Sequence, residues 1–384
     1  MNEKSGTLRI LHTIDSAGIY GAETVLLSLA VEQHRRGHEP ILLSIGNPGS
    51  GEKPLEAEAR RRGLACVPLR MRDGLNLRGA REIVALAAEQ RIDVIHSHGY
   101  KTNILLGLMS SSARGRPVVA TLHGWTAKSP WSKLGLYRFL DQRLLGRLNS
   151  VVLVSERLKS ARAVQALDPE RLTVIPNGIE LDATPGAGAS NFDELARRIR
   201  EFAQRVGMIV GAVGRLSAEK NFSALIEAMD LALSRGAQFG LVLLGNGPEF
   251  DSLRKNVEDR GLAGKVLMVG YVADARNYIG LFDVLAMPSL TEGLPITLLE
   301  AMSKNLPVIA TSVGDIPAVL GDLGVLVPPG DADALARAIY QFVAEPEKFR
   351  RAASSGQARV REQFSAAAMF ERYDKVYRRA LAST

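Results

Sequence analysis

The chain has 384 residues, 46% of them hydrophobic, and a formal net charge of +7, which describes a water-soluble chain long enough for two domains. Its single cysteine, Cys66, excludes an internal disulfide framework and any multi-cysteine metal site, and reads as a small apolar residue. No apolar run reaches the ~18 residues of a membrane span, and the opening M-N-E-K-S-G-T lacks the apolar core of a signal peptide, so the expected location is the cytoplasm.

In chain order, the first half repeats strand, turn and helix. Strands are predicted at 8–14, 40–45, 93–97, 117–122, 151–154 and 172–175, and helices at 24–36, 55–62, 77–90, 104–111, 134–145 and 157–166. The stretch 182–190, D-A-T-P-G-A-G-A-S, reads as a linker. A charged helix at 193–204 follows, and the alternation restarts with strands at 208–213, 239–244, 265–269, 283–287, from Pro307, and at 323–327. Helices fall at 221–234, 248–260, 275–281, 295–303, 331–344, 347–362 and 366–381. Short apolar strands alternating with helices indicate parallel sheets covered on both faces. The predicted class is α/β with two doubly wound domains, 1–182 and 191–365, and a ligand outside the carboxyl ends of their strands.

Chemistry-bearing residues cluster at strand-to-helix corners. Around 288–311, Glu292 and Glu300 lie seven residues apart across such a corner, with Pro295 suited to the first helical position. Helical side chains lean toward the N-terminus, so both acids can converge on a helix start that favours an anion. Carboxylates beside a phosphate make sense when they hold hydroxyls, which suggests a sugar phosphate or nucleotide. Gly214-Arg215-Leu-Ser-Ala-Glu219-Lys220-Asn221 places two cations where a diphosphate would sit, Arg as a planar fork and Lys as a point charge. Gly18-x-x-Gly21, Gly245-Asn246-Gly247 and Gly270-Tyr271-Val272 form turns after strands, each either a steric turn or a ligand-facing one. His123 ends the strand 117–122, and His96 and His98 flank Ser97 at another strand end, without the cysteines or spaced carboxylates of a metal site. Asp331-Ala-Asp333 spells a cation motif, but capping of the following helix explains it better. No G-x-x-x-x-G-K-[ST], G-x-G-x-x-G or G-x-S-x-G occurs.

Charge is uneven. Residues 1–180 carry 25 Lys and Arg against 17 Asp and Glu, and the remainder 23 against 24. A basic first half suits an anionic partner, nucleic acid or a membrane surface, or is merely a soluble basic face. The cation–aromatic segment 125–147 with Arg60, Arg61, Arg62, Arg70 and Arg72 could lie on an anionic bilayer as readily as form an ordinary amphipathic surface.

Taken in order, Gly18-x-x-Gly21-Ala-Glu23, His123, Pro176-Asn-Gly-Ile179, Gly214-Arg215…Glu219-Lys220-Asn221, Gly270-Tyr-Val272 and Glu292-x7-Glu300 followed by Ala-Met resemble family 4 glycosyltransferases (glycosyl transferases group 1). The likeness covers nearly the whole chain. It implies the GT-B fold, two Rossmann-like domains facing across a cleft with the last helix, 366–384, crossing back to the first. It also implies retaining transfer from a nucleotide-diphosphate sugar, UDP favoured over GDP, to a glycan or lipid-linked acceptor, without metal or other cofactor and without nucleic acid.

The resemblance assigns Glu292 to donor-sugar hydroxyls, Glu300 to the ribose diol and His123 to the neighbourhood of the transferred sugar. Arg215 and Lys220 would hold the diphosphate, with backbone amides of Gly21, Thr297 and Leu298. Tyr271 and Val272 would take the base, and Gly18, Asn246, Gly293 and Leu294 complete the donor set. Where many relatives read E-G-F-G this chain reads Glu292-Gly-Leu294-Pro295, removing one backbone donor near the sugar, and His123-Gly124 replaces a frequent His-Asp. The alternatives are a GT-B-type epimerase or phosphorylase and, from another class, a two-lobed solute-binding protein, which is usually exported.

Overall fold

A computed structural model of the chain describes residues 6–15, 18–72, 74, 76–123, 133–181 and 189–383. Gly124, the start of the basic aromatic segment and most of the linker lie outside them. The chain divides into two compact units, Met1–Glu180 with Ser365–Thr384, and Leu181–Phe364.

The first unit carries β1 (Arg9–Asp15), β2 (Glu39–Gly46), β3 (Ala65–Arg70), β4 (Val94–Ser97), β5 (Val118–Leu122), β6 (Ser150–Leu153) and β7 (Leu172–Val174). They pair in the order β3-β2-β1-β4-β5-β6-β7, every neighbour parallel. The second unit carries β8 (Met208–Val213), β9 (Phe239–Leu244), β10 (Val266–Gly270), β11 (Val284–Met287), β12 (Val308–Thr311) and β13 (Val325–Val327). Their order is β10-β9-β8-β11-β12-β13, again parallel. The central strands are almost wholly apolar and buried, because helices cover both faces of a parallel sheet. Each fully buried Leu, Ile or Val contributes about 1.5–3 kcal/mol of transfer free energy.

The structure departs from the sequence reading in places with clear causes. β3 was not predicted; Pro68 interrupts its apolar pattern, and proline is tolerated there because β3 is an edge strand. The predicted helices at 157–166 and 275–281 are instead short 3-10 turns, with one α turn at Arg162–Gln165. A short helix at Ile316–Leu320, with Pro317 in its first turn, also went unread. The helix predicted at 347–362 is two, Pro346–Ala353 and Gly356–Gln363; a Cβ at Gly356 would stand 2.8 Å from the carbonyl oxygen of Met302.

The helix Ala366–Ala382 packs within the first unit. Ile179 bridges Ser365, and Gly178 leaves the space for this approach, since a Cβ there would lie 2.6 Å from the Ser365 carbonyl oxygen. Tyr373 and Tyr377 on this helix are among the largest fully buried side chains. Parallel order brings every strand's carboxyl end to one edge of its sheet, so the loops that follow the strands share that edge.

Candidate active site

In the second unit, the loops after β10, β9, β8, β11 and β12 stand side by side and are hydrogen-bonded in series. The Gly245 amide donates to the Gly270 carbonyl (2.8 Å), Gly214 to Leu244 (3.0 Å), Leu216 to Asn246 (3.0 Å), Leu290 to Glu219 (2.8 Å) and Asp315 to Gly293 (3.0 Å). Glycines make this closeness possible. A Cβ at Gly247 would meet the Leu216 carbonyl oxygen at 2.3 Å, and one at Gly314 (φ +57°) would meet that of Glu292 at 2.3 Å. The rim is therefore a continuous backbone frame rather than five separate turns.

Glu292 sits in this frame with its side chain 8% exposed. Its Oε1 accepts from Lys220 Nζ at 2.6 Å and from Ser289 Oγ at 2.7 Å, and Thr311 Oγ1 fixes Ser289 by donating to its carbonyl at 2.6 Å. Arg215 is exposed at the same edge, with no ion pair among the described residues. Glu219 is held below the usual carboxylate range by the Ser217 hydroxyl and a backbone amide, with Arg215 and Lys220 assisting. Glu300 behaves oppositely: burial pushes its carboxyl up to about 7, Asp274 adds to the rise, and Arg276 and Lys304 oppose it.

Asn246, Gly293, Thr297 and buried Leu294 lie along this edge, and Tyr271 is 74% exposed beside Val272. Two expectations change. Pro295 precedes the helix Ile296–Met302 as its cap instead of opening it, because its ψ of 127° is extended. The Leu298 amide already donates to the Pro295 carbonyl at 3.1 Å, leaving Thr297 as the freer first-turn donor. Asp331 caps its helix through the Ala334 amide (2.8 Å) and Asp333 pairs with Arg235 (2.7 Å), so neither is arranged around a cation.

In the first unit, a cavity of about 380 Å³ opens at the carboxyl ends of β1, β4 and β5, lined among others by Asp15, Glu23, Lys101, His98, His123 and Tyr137. Gly21 proves to be the first residue of the helix Gly21–Arg35, not part of a loop, so its amide is a first-turn donor without an intrahelical partner. Gly18 lies just ahead of it, and the Tyr20 amide donates to Glu23 at 2.9 Å. Asp15 is paired with Lys101 (3.1 Å) and Lys53 (3.5 Å).

Behind His123 lies a histidine cluster that sequence spacing could not reveal. His12, His96 and His98 are wholly or almost wholly buried, with one nitrogen of each within 4.8 Å of the others. That spacing would suit a metal, but both nitrogens of every ring are engaged. His12 meets Gln33 (2.8 Å) and His98 (3.0 Å), His96 meets Thr121 (2.7 Å) and Tyr377 (2.8 Å), and His98 also meets His123 (3.4 Å). Burial lowers all four imidazoles, His12 and His123 to about 4, so they are neutral at pH 7. Cys66, half-buried in β3, has its thiol pushed up to about 11 by the same cause.

Two doubly wound parallel sheets with polar rims on their carboxyl edges define a GT-B architecture. Anabaena HepE, solved in complex with UDP-glucose, superposes with a TM-score of 0.79 at 22% identity, covering 98% of this chain and 100% of that one. The model for glycosyltransferase family 4 matches residues 19–183 and that for glycosyl transferases group 1 matches 207–345. A 2-deoxystreptamine N-acetyl-D-glucosaminyltransferase of Streptomyces fradiae is 30% identical over 366 residues, 86% of this chain and 84% of that protein. A UDP-Gal:alpha-D-GlcNAc-diphosphoundecaprenol alpha-1,3-galactosyltransferase of Escherichia coli is 30% identical over 267 residues, 67% of each. The chain belongs to the family 4 glycosyltransferases, and it is a transferase enzyme.

Proposed function

We propose that the enzyme is a retaining transferase that moves a hexose or N-acetylhexosamine from a nucleotide-diphosphate sugar, UDP-linked in preference to GDP-linked, to a glycan or lipid-linked acceptor. The observation that carries the reading is the Lys220–Glu292 pair at 2.6 Å inside the hydrogen-bonded rim, with Arg215 exposed at the same edge. One cation and one anion held together suit a ligand with a diphosphate at one end and neutral hydroxyls at the other. The activities of the relatives and the UDP-glucose complex of HepE support the acceptor classes and the uridine base in this reading.

In this reading Arg215 and Lys220 neutralise the charge that develops on the diphosphate as the glycosidic bond breaks. The leaving phosphate takes the acceptor proton on the same face, so no protein nucleophile and no metal is assigned. Glu292 holds sugar hydroxyls, His123 meets the transferred sugar, and Tyr271 and Val272 take the base. Glu300 takes the ribose diol; with a carboxyl near 7 it can accept or donate there. Among the described residues no helix is long and apolar enough to cross a membrane. Peripheral contact with an anionic membrane face through the basic first half belongs to the same proposal.

Thermal-shift titration with UDP, GDP and ADP, followed by turnover of a nucleotide-sugar panel, tests it. UDP should stabilise most, and Lys220→Ala and Glu292→Ala should each lower kcat on the order of 10²-fold or more. Unchanged turnover from every active donor would remove the assigned site. The anomeric configuration of the product by NMR decides retention.

A further inference from the structure

Gln33 lies in the helix Gly21–Arg35, fully buried, and joins two hydrogen-bond chains. Its Oε1 faces His12 Nε2 at 2.8 Å and its Nε2 donates to the Tyr377 hydroxyl at 3.2 Å. An amide oxygen only accepts, so His12 must carry its proton on Nε2. A neutral His12 then has an accepting Nδ1, 3.0 Å from His98 Nε2, and His98 must be the donor. The same logic passes on: His98 Nδ1 is left accepting, 3.4 Å from His123 Nε2, which must carry the proton. His123 Nδ1 is therefore unprotonated, has no partner among the described residues, and belongs to a ring that lines the first-unit cavity.

We propose that Gln33 is a positioning residue which, through His12 and His98, fixes the tautomer of His123 so that Nδ1 is an obligate acceptor for a ligand hydroxyl. The use made of that acceptor rests on the reading that His123 meets the donor sugar. An amide suits the head of such a chain because it sets proton direction without adding charge. A carboxylate there would draw a proton onto His12 and make the buried rings cationic. The second branch steadies the amide: Tyr377 donates to His96 Nδ1 at 2.8 Å, and His96 Nε2 then donates to Thr121 at 2.7 Å.

The test is long-range ¹⁵N–¹H correlation NMR of the ¹⁵N-histidine-labelled full chain at pH 7.5. His123 is assigned from the signal lost in His123→Ala, and His12 and His98 from single His→Asn variants. The expected result is a pyridine-type Nδ1 and a pyrrole-type Nε2 for all three rings. In Gln33→Leu, His123 should become a tautomer mixture, with kcat falling roughly five- to tenfold and the donor KM moving less, the size of one neutral hydrogen bond. Gln33→Glu, whose carboxylate draws a second proton onto His12 and turns its Nδ1 into a donor, should reverse the relay and move the His123 proton to Nδ1. A wild-type His123 protonated on Nδ1 overturns the proposal. So does a His123 spectrum unchanged in Gln33→Leu, whose folding the remaining spectrum reports. If His123→Ala keeps full turnover, the donor-sugar reading fails while the spectra still decide the relay.

Discussion

Acidification should act on the two units in opposite directions. All six histidines lie in the first unit, at 12, 34, 38, 96, 98 and 123, and the second has none. His12 titrates at 6.5 when exposed and at about 4 in the fold, where burial excludes its charged form. The unfolded chain therefore takes up a proton that the folded one refuses, so stability is full above 6.5 and is lost as pH falls toward 4. From pH 7 to 5 this one fully buried ring removes about 2 kcal/mol. His96, His98 and His123 are lowered too and act in the same direction. Glu300 has the reverse sign. Its folded carboxyl, raised from 4.5 to about 7, protonates before the unfolded one, so the second unit gains about 1 kcal/mol over the same range after allowance for partial exposure. Hydrogen exchange by mass spectrometry at pH 7 and 5, corrected for intrinsic rates, reads each unit separately. Peptides from β1 should lose protection and those from β8 should hold or gain. Parallel loss in both, or β1 protection intact at pH 5, would refute the reasoning.

Three further outcomes follow from the geometry. Lys220→Met leaves the Glu292 carboxylate, 8% exposed, without its cation and should cost about 2 kcal/mol in urea unfolding. Adding Glu292→Gln should restore part of that loss, and strict additivity would mean that the pair is not coupled. Gly247→Ala puts a Cβ 2.3 Å from the Leu216 carbonyl oxygen and should cost about 1–3 kcal/mol. Its donor KM should rise while exchange in the first unit stays as in wild type. Leu136 and Phe139 are 58% and 50% exposed on the helix Lys133–Leu144, with the Arg143 guanidinium 4.9 Å from the Phe139 ring. If this face meets an anionic bilayer, Leu136→Glu with Phe139→Glu should abolish flotation with anionic liposomes; a wild-type protein that never floats ends the membrane reading.

Period and punctuation carried most of the fold. β8 and β9 are apolar runs bounded by glycine and polar residues, and their ends were read to the residue. β3 escaped because Pro68 disguises an edge strand, and the 3-10 turns were read as parts of longer helices because residue pattern does not separate a turn of three to five residues from a helical one. Lys220 could be placed at one strand-to-helix corner and Glu292 and Glu300 at another because such corners are themselves sequence patterns. Ser289, which holds Glu292, looked like an ordinary loop serine. The histidine cluster was out of reach for a different reason: Gln33 and Tyr377 are 344 residues apart, and only the folded sheet makes them neighbours. His96 and His98 were noticed as residues, but the groups that engage both their nitrogens come from other strands and from the helix Ala366–Ala382.

That helix also sets an order of events during synthesis. The chain leaves the first unit after Glu180 and rejoins it at Ser365, so the second unit's sequence is inserted within that of the first. A ribosome makes the whole of the second unit before it makes Tyr373 and Tyr377. The second unit can close while the chain is still being translated, whereas the first must wait, with His96, Thr121 and Gln33 unpartnered on that side, until the returning helix emerges. A chain interrupted before Ser365 would then carry a folded second unit attached to a first unit still open to chaperones and proteases.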